Sequence, residues 1–280
     1  AFMIRIQTLA IPAMAAASVF AAGCGRSSGV GGANAVEAPP ATAKAACGPG
    51  SRPETGMQGR VSQADYDSGL AAQGINCNTE MIGSYVVPNP VGSVTGGAGP
   101  FADPVGVVGG YKVERYVDSQ GHECAYYDTT LVFPLNAGDA MAGVNVLDMT
   151  DPARPVLATR LLTPAMLSPH ESLNISAKRG LLVAVLGNPL FYPGAIDVYD
   201  LNEDCRKPTL KSIAGVGFLG HESGMAPDGN TFYSASSWLE TLTPVDIRNP
   251  SLPIPLGVIP VSSHGLTLSE DGTRAYVAES

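Results

Sequence analysis

The chain has 280 residues; 33 are glycine and 23 proline, while charged residues make up only 15%. Average usage is about 12% Gly plus Pro and about 25% charged, and a hydrophobic content of 45% excludes a disordered chain. Sixteen basic against 25 acidic residues give a net charge of −9, which argues against nucleic acid or an anionic membrane surface as partner.

In chain order, residues 1–24 read as an export signal. Arg5 is a minimal basic region, Ile6 to Ala22 is apolar, and Ala21-Ala22-Gly23 lead into Cys24. The apolar stretch contains Pro12 and is shorter than the roughly 20 residues a membrane span needs. Small residues before a cysteine, followed by a Gly/Ser-rich segment, resemble a bacterial lipoprotein signal. That resemblance places a lipid on Cys24, so that the membrane is met only through the anchor; plain secretion after cleavage is the alternative. Residues 25–46 are a flexible tether, and 47–110 form a loop-rich segment.

With Cys24 set aside, Cys47, Cys77, Cys124 and Cys205 remain, an even number suited to disulfides in an oxidising cell envelope or the medium. Four cysteines allow three pairings, and the sequence does not choose among them. Cys47 with Cys77 would clip the loop-rich segment, and Cys124 with Cys205 would staple two distant strands. No C-x-x-C occurs to favour a metal or redox site.

Residues 111–280 are repetitive. His170-Glu171-Ser172, His221-Glu222-Ser223 and His264-Gly265-Leu266 each open a short strand pair, and two of these pairs are joined by Asp228-Gly229 and Asp271-Gly272. Asp-Gly supplies the positive φ that a tight hairpin requires. Between the histidines recur Val144–Asp148, Ile196–Asp200 and Leu242–Asp246, each followed by a polar turn and a Pro-flanked apolar strand. A period of about 45 residues with four short strands is that of a β-propeller blade. The predicted fold is therefore all-β: four-stranded propeller blades after an export signal and a loop-rich N-terminal segment. Pro244 inside one third strand predicts an edge or a bend. Three to four blades fit between 110 and 280, and the sequence stops after the second strand of a blade, so a partial ring from a longer protein is expected.

The elements Val146-Leu147-Asp148-Met149-Thr150-Asp151-Pro152 and Val245-Asp246-Ile247-Arg248-Asn249-Pro250 resemble LVIVD-type repeats of exported bacterial propellers. The hairpins around Pro227-Asp228-Gly229 and Glu270-Asp271-Gly272 are similar to those of YVTN-type propellers. These motifs specify a blade and not a reaction.

If the alignment holds, His170, His221 and His264 converge near the axis on one face, with His122 of Gly121-His122-Glu123-Cys124 as a fourth member. Clustered imidazoles suit Zn, Cu or Fe, and Glu123, Glu171 and Glu222 could ligate or orient them. The competing reading is structural: in WD-type propellers a strand-opening histidine bonds an aspartate of its own blade. Asp200 would serve His170 in that role, and Asp246 would serve His221. Phe191 and Tyr192 on an inserted loop, and Trp238 on the matching loop of the next blade, are candidates for a ligand or partner surface. Gly215-Val216-Gly217-Phe218-Leu219-Gly220 matches G-x-G-x-x-G, but no helix is predicted to follow. Two functions are expected from this face: binding of a protein or small-molecule ligand, or catalysis by axial histidines. The catalytic form is a metal-dependent oxidation or a lactone or ester hydrolysis, the latter by likeness to propeller lactonases.

Overall fold

The computed structural model describes residues 2–5, 43–85, 112–128, 143–169, 171–186 and 191–279. Cys24 and His170 lie outside the described residues, as does the proposed signal segment apart from Phe2–Arg5.

Two compact units are present, the smaller spanning Leu9–Ile82. Its described part has little regular structure: one helix, α1 (Gln63–Asp67), and a 3-10 turn at Ala71–Gln73. Ser62 and Asp65 cap α1 reciprocally, each side chain bonding the other's backbone N–H. A Cys47–Cys77 disulfide and an isolated bridge between Arg52 and Asn76 hold the rest. Among its described residues no apolar side chain is buried, and cross-links supply what burial does not.

The larger unit takes in Gly83–Ser280 and the N-terminal strand β1 (Phe2–Arg5). Its first blade is the antiparallel meander β2 (Val113–Val117), β3 (Glu123–Asp128), β4 (Val144–Asp148) and β5 (Val156–Leu161). A short helix, α2 (Pro164–Leu167), leads into the second blade: β6 (Asn174–Ser176), β7 (Leu181–Val185), β8 (Ile196–Asp200) and β9 (Thr209–Ala214). The third blade comprises β10 (Gly224–Met225), β11 (Thr231–Ser236), β12 (Thr241–Asp246) and a fourth strand in two pieces, β13 (Ile254–Pro255) and β14 (Ile259–Pro260). In the fourth, β15 (Gly265–Leu268) pairs with β16 (Arg274–Ala278), and β1 lies antiparallel on the far side of β16. The first strands β2, β6, β10 and β15 neighbour one another in that order, and Glu222 and Gly265 form a parallel bridge between two of them. Successive four-stranded meanders with adjoining, co-directional first strands are propeller blades, as the sequence predicts.

The strands form where the apolar pattern places them. β7 (LLVAV) is buried along its whole length because blades cover both of its faces. Leu182, Ala184 and Tyr199 pack on Tyr116, Tyr126, Val144 and Val146 of the first blade. Leu181, Val183, Ile196 and Val198, on the other face, meet Phe232, Val245 and Ile247 of the third. Each third strand ends in an aspartate whose carboxylate accepts the N–H two residues on: Asp148 from Thr150, Asp200 from Asn202 and Asp246 from Arg248. The Asp228-Gly229 and Asp271-Gly272 hairpins form as expected, with Gly229 at φ 74° and Gly272 at φ 67°. Pro244 does not put β12 at an edge, since the strand runs unbroken and is paired on both sides. The proline has no N–H to give, and the fourth strand facing it splits into β13 and β14, with Leu256 N–H returning to the Pro244 carbonyl. The first and second blades carry a register shift at the equivalent place, beside Val146 and Val198. The Gly215–Gly220 segment leads into a strand and not a helix, so it makes no dinucleotide site.

Neighbouring blades are stitched at the end where these aspartate turns lie. The Cys124–Cys205 disulfide joins β3 to the loop after β8. Tyr126 donates its hydroxyl to the Cys205 carbonyl, and Asp118 accepts the Cys205 N–H. One blade further on, Arg179 of the β6–β7 hairpin donates to the carbonyls of Gly229, Ile247 and Arg248 at 2.8, 2.9 and 2.8 Å.

Candidate functional site

The opposite end of the blades holds the histidines. His221 immediately precedes the first strand of the third blade, and its N–H bonds the Ala235 carbonyl; His264 precedes β15 and bonds the Ala278 carbonyl. Equivalent places in successive blades bring the two rings together, centroids 4.4 Å apart and planes tilted by 49°. His221 is buried, whereas the His264 side chain is about half exposed.

Each ring has a carboxylate beside it, contributed by the preceding blade. Glu171 Oε2 lies 3.8 Å from His221 Nδ1, and Glu222 Oε2 lies 3.7 Å from His264 Nδ1. The Glu of each His-Glu-Ser tripeptide thus serves the histidine of the following blade. The third member is structural: Ser172 Oγ donates to the Val185 carbonyl at 3.0 Å and accepts the Val185 N–H at 2.9 Å. Ser223 Oγ likewise takes the Ala235 N–H. Gly265 makes room for Glu222, since a Cβ there would stand 2.3 Å from its Oε2. Glu171, His221 and His264 offer one donor atom each, all within 4.8 Å of one another.

The aspartates that the structural reading assigned to the histidines are occupied elsewhere. Asp246 pairs across β11 with Thr231, four residues from the Ala235 that holds His221. At about 3.3 Å per residue that is some 13 Å away, at the other end of the blade. Asp246 instead binds the Arg248 guanidinium, and Asp200 the Asn202 side chain. A WD-type His–Asp bond therefore does not link His221 with Asp246.

His122 does not join His221 and His264. It lies in the β2–β3 hairpin, at the stitched end, although it shares the His-Glu dipeptide. Its Nδ1 is 2.9 Å from Asp118 Oδ2 and 3.9 Å from Asp204 Oδ1, and Glu123 pairs with Arg115. Burial by itself would raise the Asp118 carboxyl. The Cys205 N–H, the His122 imidazole and N–H and the Gln120 N–H outweigh it and hold the group at about 2. This cluster is filled by protein donors, and Arg206 supplies its cation through Asp204 and Asp148.

The loops around His221 and His264 carry the predicted aromatics. Phe191 and Tyr192 on the β7–β8 loop and Trp238 on the β11–β12 loop are all exposed. The first loop is tied to the segment before His221, because the Pro193 carbonyl accepts the Leu219 N–H and the Gly194 carbonyl the Gly217 N–H. Backbone strain gathers here as well. Among the described residues of the larger unit, the non-glycine residues with positive φ are Glu171, Phe218, Leu219 and Glu240, all at this end. Each such conformation costs about 1–3 kcal/mol, and such residues concentrate at binding sites. The sequence names Glu171 and Glu222 as partners of the histidines but not their offset by one blade, which only the stacking of blades creates.

No family model matches the chain, and no curated protein matches it. Solved structures similar to it include a candidate 6-phosphogluconolactonase from Bacteroides fragilis, at 14% identity and TM-score 0.42, covering 56% of this chain and 40% of that one. A periplasmic gluconolactonase from Pseudomonas aeruginosa is similar at 16% identity and TM-score 0.39, covering 62% of this chain and 44% of that one. Hydrazine synthase from Kuenenia stuttgartiensis follows at 11% identity and TM-score 0.39, covering 61% and 56%. The chain spans about half or less of the length of the first of these structures.

Proposed function

We propose that this is an exported propeller of the LVIVD/YVTN kind, held to the membrane by a lipid on Cys24 once the preceding residues, β1 included, are cleaved off, that binds a small-molecule or protein ligand at the histidine end of its blades. The observation that carries the reading is the convergence of Glu171, His221 and His264, with their donor atoms within 4.8 Å. The serine hydroxyls bond the second strands at this end, Ser172 to Val185 and Ser223 to Ala235, while the imidazoles lie beside carboxylates of the preceding blade. Two disulfides agree with export to an oxidising compartment. No helix among the described residues is long and apolar enough to cross a membrane. Trp238 is the only tryptophan, which makes its emission a direct reporter of this face. Titration of the full chain with a panel of sugar lactones, aryl esters and periplasmic peptides should find a compound that changes Trp238 emission saturably. His264→Ala should abolish the change. A panel in which nothing saturates, or a response indifferent to His264→Ala, removes the reading.

A second reading, hydrolysis of a lactone or ester, is favoured by the Glu222–His264 pair. A carboxylate 3.7 Å from a half-exposed imidazole is the arrangement of a general base that can take a proton from attacking water. It predicts lactone opening, followed by pH-stat, that falls in Glu222→Gln; turnover equal in that variant and the parent chain would exclude it.

A further inference from the structure

Among the described residues two side-chain clusters have donor sets that could hold a metal: Glu171/His221/His264 and Asp118/His122/Asp204. In the second, Asp118 already accepts from the Gln120, His122 and Cys205 N–H groups and Arg206 neutralises Asp204, so protein groups satisfy it. The first is different in kind. Its two rings are only 4.4 Å apart, and Glu171, His221 and His264 bring one donor atom each within 4.8 Å of one another.

We propose that Glu171, His221 and His264 bind one divalent first-row transition cation of the Zn2+ class, with Glu222 as the carboxylate that orients His264. This deepens the reading of the same face as a binding surface. Two imidazole nitrogens and one carboxylate oxygen form a borderline donor set; Ca2+ and Mg2+ prefer all-oxygen sites, and Cu(I) prefers sulfur. Bond lengths of about 2.0–2.2 Å place the donors of a tetrahedral site about 3.3–3.6 Å apart. The Glu171 Oε2–His221 Nδ1 separation of 3.8 Å is already close to this. The remaining adjustment falls to His264, which is half exposed and able to rotate.

Glu222 supplies the outer carboxylate such sites use to fix a ligating ring. It faces His264 Nδ1 at 3.7 Å; on closing to hydrogen-bond distance it would fix the tautomer protonated on that nitrogen and leave Nε2 to ligate. The missing side chain at Gly265 makes the approach of Glu222 possible. Three protein ligands leave coordination positions for water or for a donor atom of the ligand. The three ligands come from the second, third and fourth blades, so the cation would tie these blades together at the end away from the disulfide.

The test uses the full chain without a His tag, stripped with chelator, then titrated with Zn2+ against a chromophoric chelator and with Co2+ followed by its visible absorption. One cation per chain is expected, with the Co2+ bands of a four- or five-coordinate site. His264→Ala and Glu171→Gln should each lower affinity at least about a hundredfold; both side chains are partly exposed, so folding survives the change, as circular dichroism would verify. Glu222→Gln should weaken binding about 10–100-fold at unchanged stoichiometry, and His122→Ala should leave it as it was. No bound cation, or binding that persists in the His264→Ala/Glu171→Gln double variant, overturns the assignment. Binding of an organic ligand at Trp238 by a chain that takes up no Zn2+ would overturn the metal site and leave the binding face. Zn2+ binding with no organic ligand would do the reverse.

Discussion

Within the His-Glu-Ser tripeptide, each residue has its own task. Ser172 makes both of its hydrogen bonds to Val185 inside the protein, so Ser172→Ala should cost about 1–3 kcal/mol in urea unfolding. Zn2+ affinity should be unchanged. If the variant instead loses Zn2+ at full stability, Ser172 belongs to the site and not to the strand lock. Gly265→Ala probes the opposite case. A Cβ there stands 2.3 Å from Glu222 Oε2 and 2.9 Å from Glu222 Cβ, so the carboxylate swings away and the Glu222–Gly265 bridge opens by a few tenths of an ångström. The variant should lose Zn2+ affinity to the same extent as Glu222→Gln, and the double variant should lose no more than either alone. Additive losses would show that the two residues act separately. The tripeptide's position was legible in the sequence because it repeats ahead of β6 and β10, with the histidine alone kept ahead of β15. His122 was misplaced beside the other histidines because the shared His-Glu dipeptide is a composition match: it lies within a hairpin, where the other histidines precede a first strand.

For strands and turns, the repeat was legible where local chemistry decides. The three elements ending in Asp148, Asp200 and Asp246 are β4, β8 and β12, since an apolar run closed by an aspartate that caps its own turn needs no distant partner. Pro244 was read as an edge or a bend, whereas β12 is continuous and paired on both sides; the irregularity opposite it recurs beside Val146 and Val198 and so belongs to the blade and not to the proline. What joins one blade to the next was not legible, because those contacts pair residues some 50 to 80 positions apart through the stacking of sheets. The offset of Glu171 to His221 is one case, and Arg179 reaching three carbonyls of the third blade is another. The disulfide pairing lay between: the cysteine count allowed it, but only the packing of β3 against the loop after β8 selects Cys124 with Cys205. That bond closes a separation of 81 residues, and Cys124→Ser/Cys205→Ser should cost about 2–5 kcal/mol, read from the midpoint of denaturant unfolding. Because the bond is at the end remote from His221 and His264, Zn2+ stoichiometry should survive in the fraction that remains folded. Loss of both together at low denaturant would show that the two ends are not independent.

Across the whole larger unit, the two ends of the blades differ in what holds them. One end is stitched by a disulfide, by Arg179 and by aspartates whose acceptor sites are filled; the other gathers histidines, carboxylates, strained backbone and exposed aromatics. The stitched end should set the response to acid. Asp118 is held at about 2. Hydrogen bonds from the Arg248 side chain and N–H lower Asp246. For Asp148 and Asp200, burial pushes upward but is outweighed by hydrogen bonds, to Asp148 from Thr150 and Arg206 and to Asp200 from Asn202 and Lys211. A carboxyl whose folded pKa lies below its unfolded value of about 3.8 contributes stability that is complete above that value. The contribution drains away as pH falls towards the folded value, so the blades should lose stability between about pH 4 and pH 2. Asp118 is the most enclosed of these groups, with four donors on one carboxylate. Asp118→Asn keeps the shape, removes the titration and weakens the bonds, so stability at pH 7 should fall by about 1.5–3 kcal/mol. Its dependence on pH below 4 should become shallower than in the parent chain. Denaturant unfolding by circular dichroism at stepped pH, with disulfides intact, measures both quantities. An acid limb as steep in Asp118→Asn as in the parent would mean that the hairpin and the Cys205 loop do not separate when that carboxylate is protonated, and that the stitching at this end rests on the disulfide and Arg179 instead.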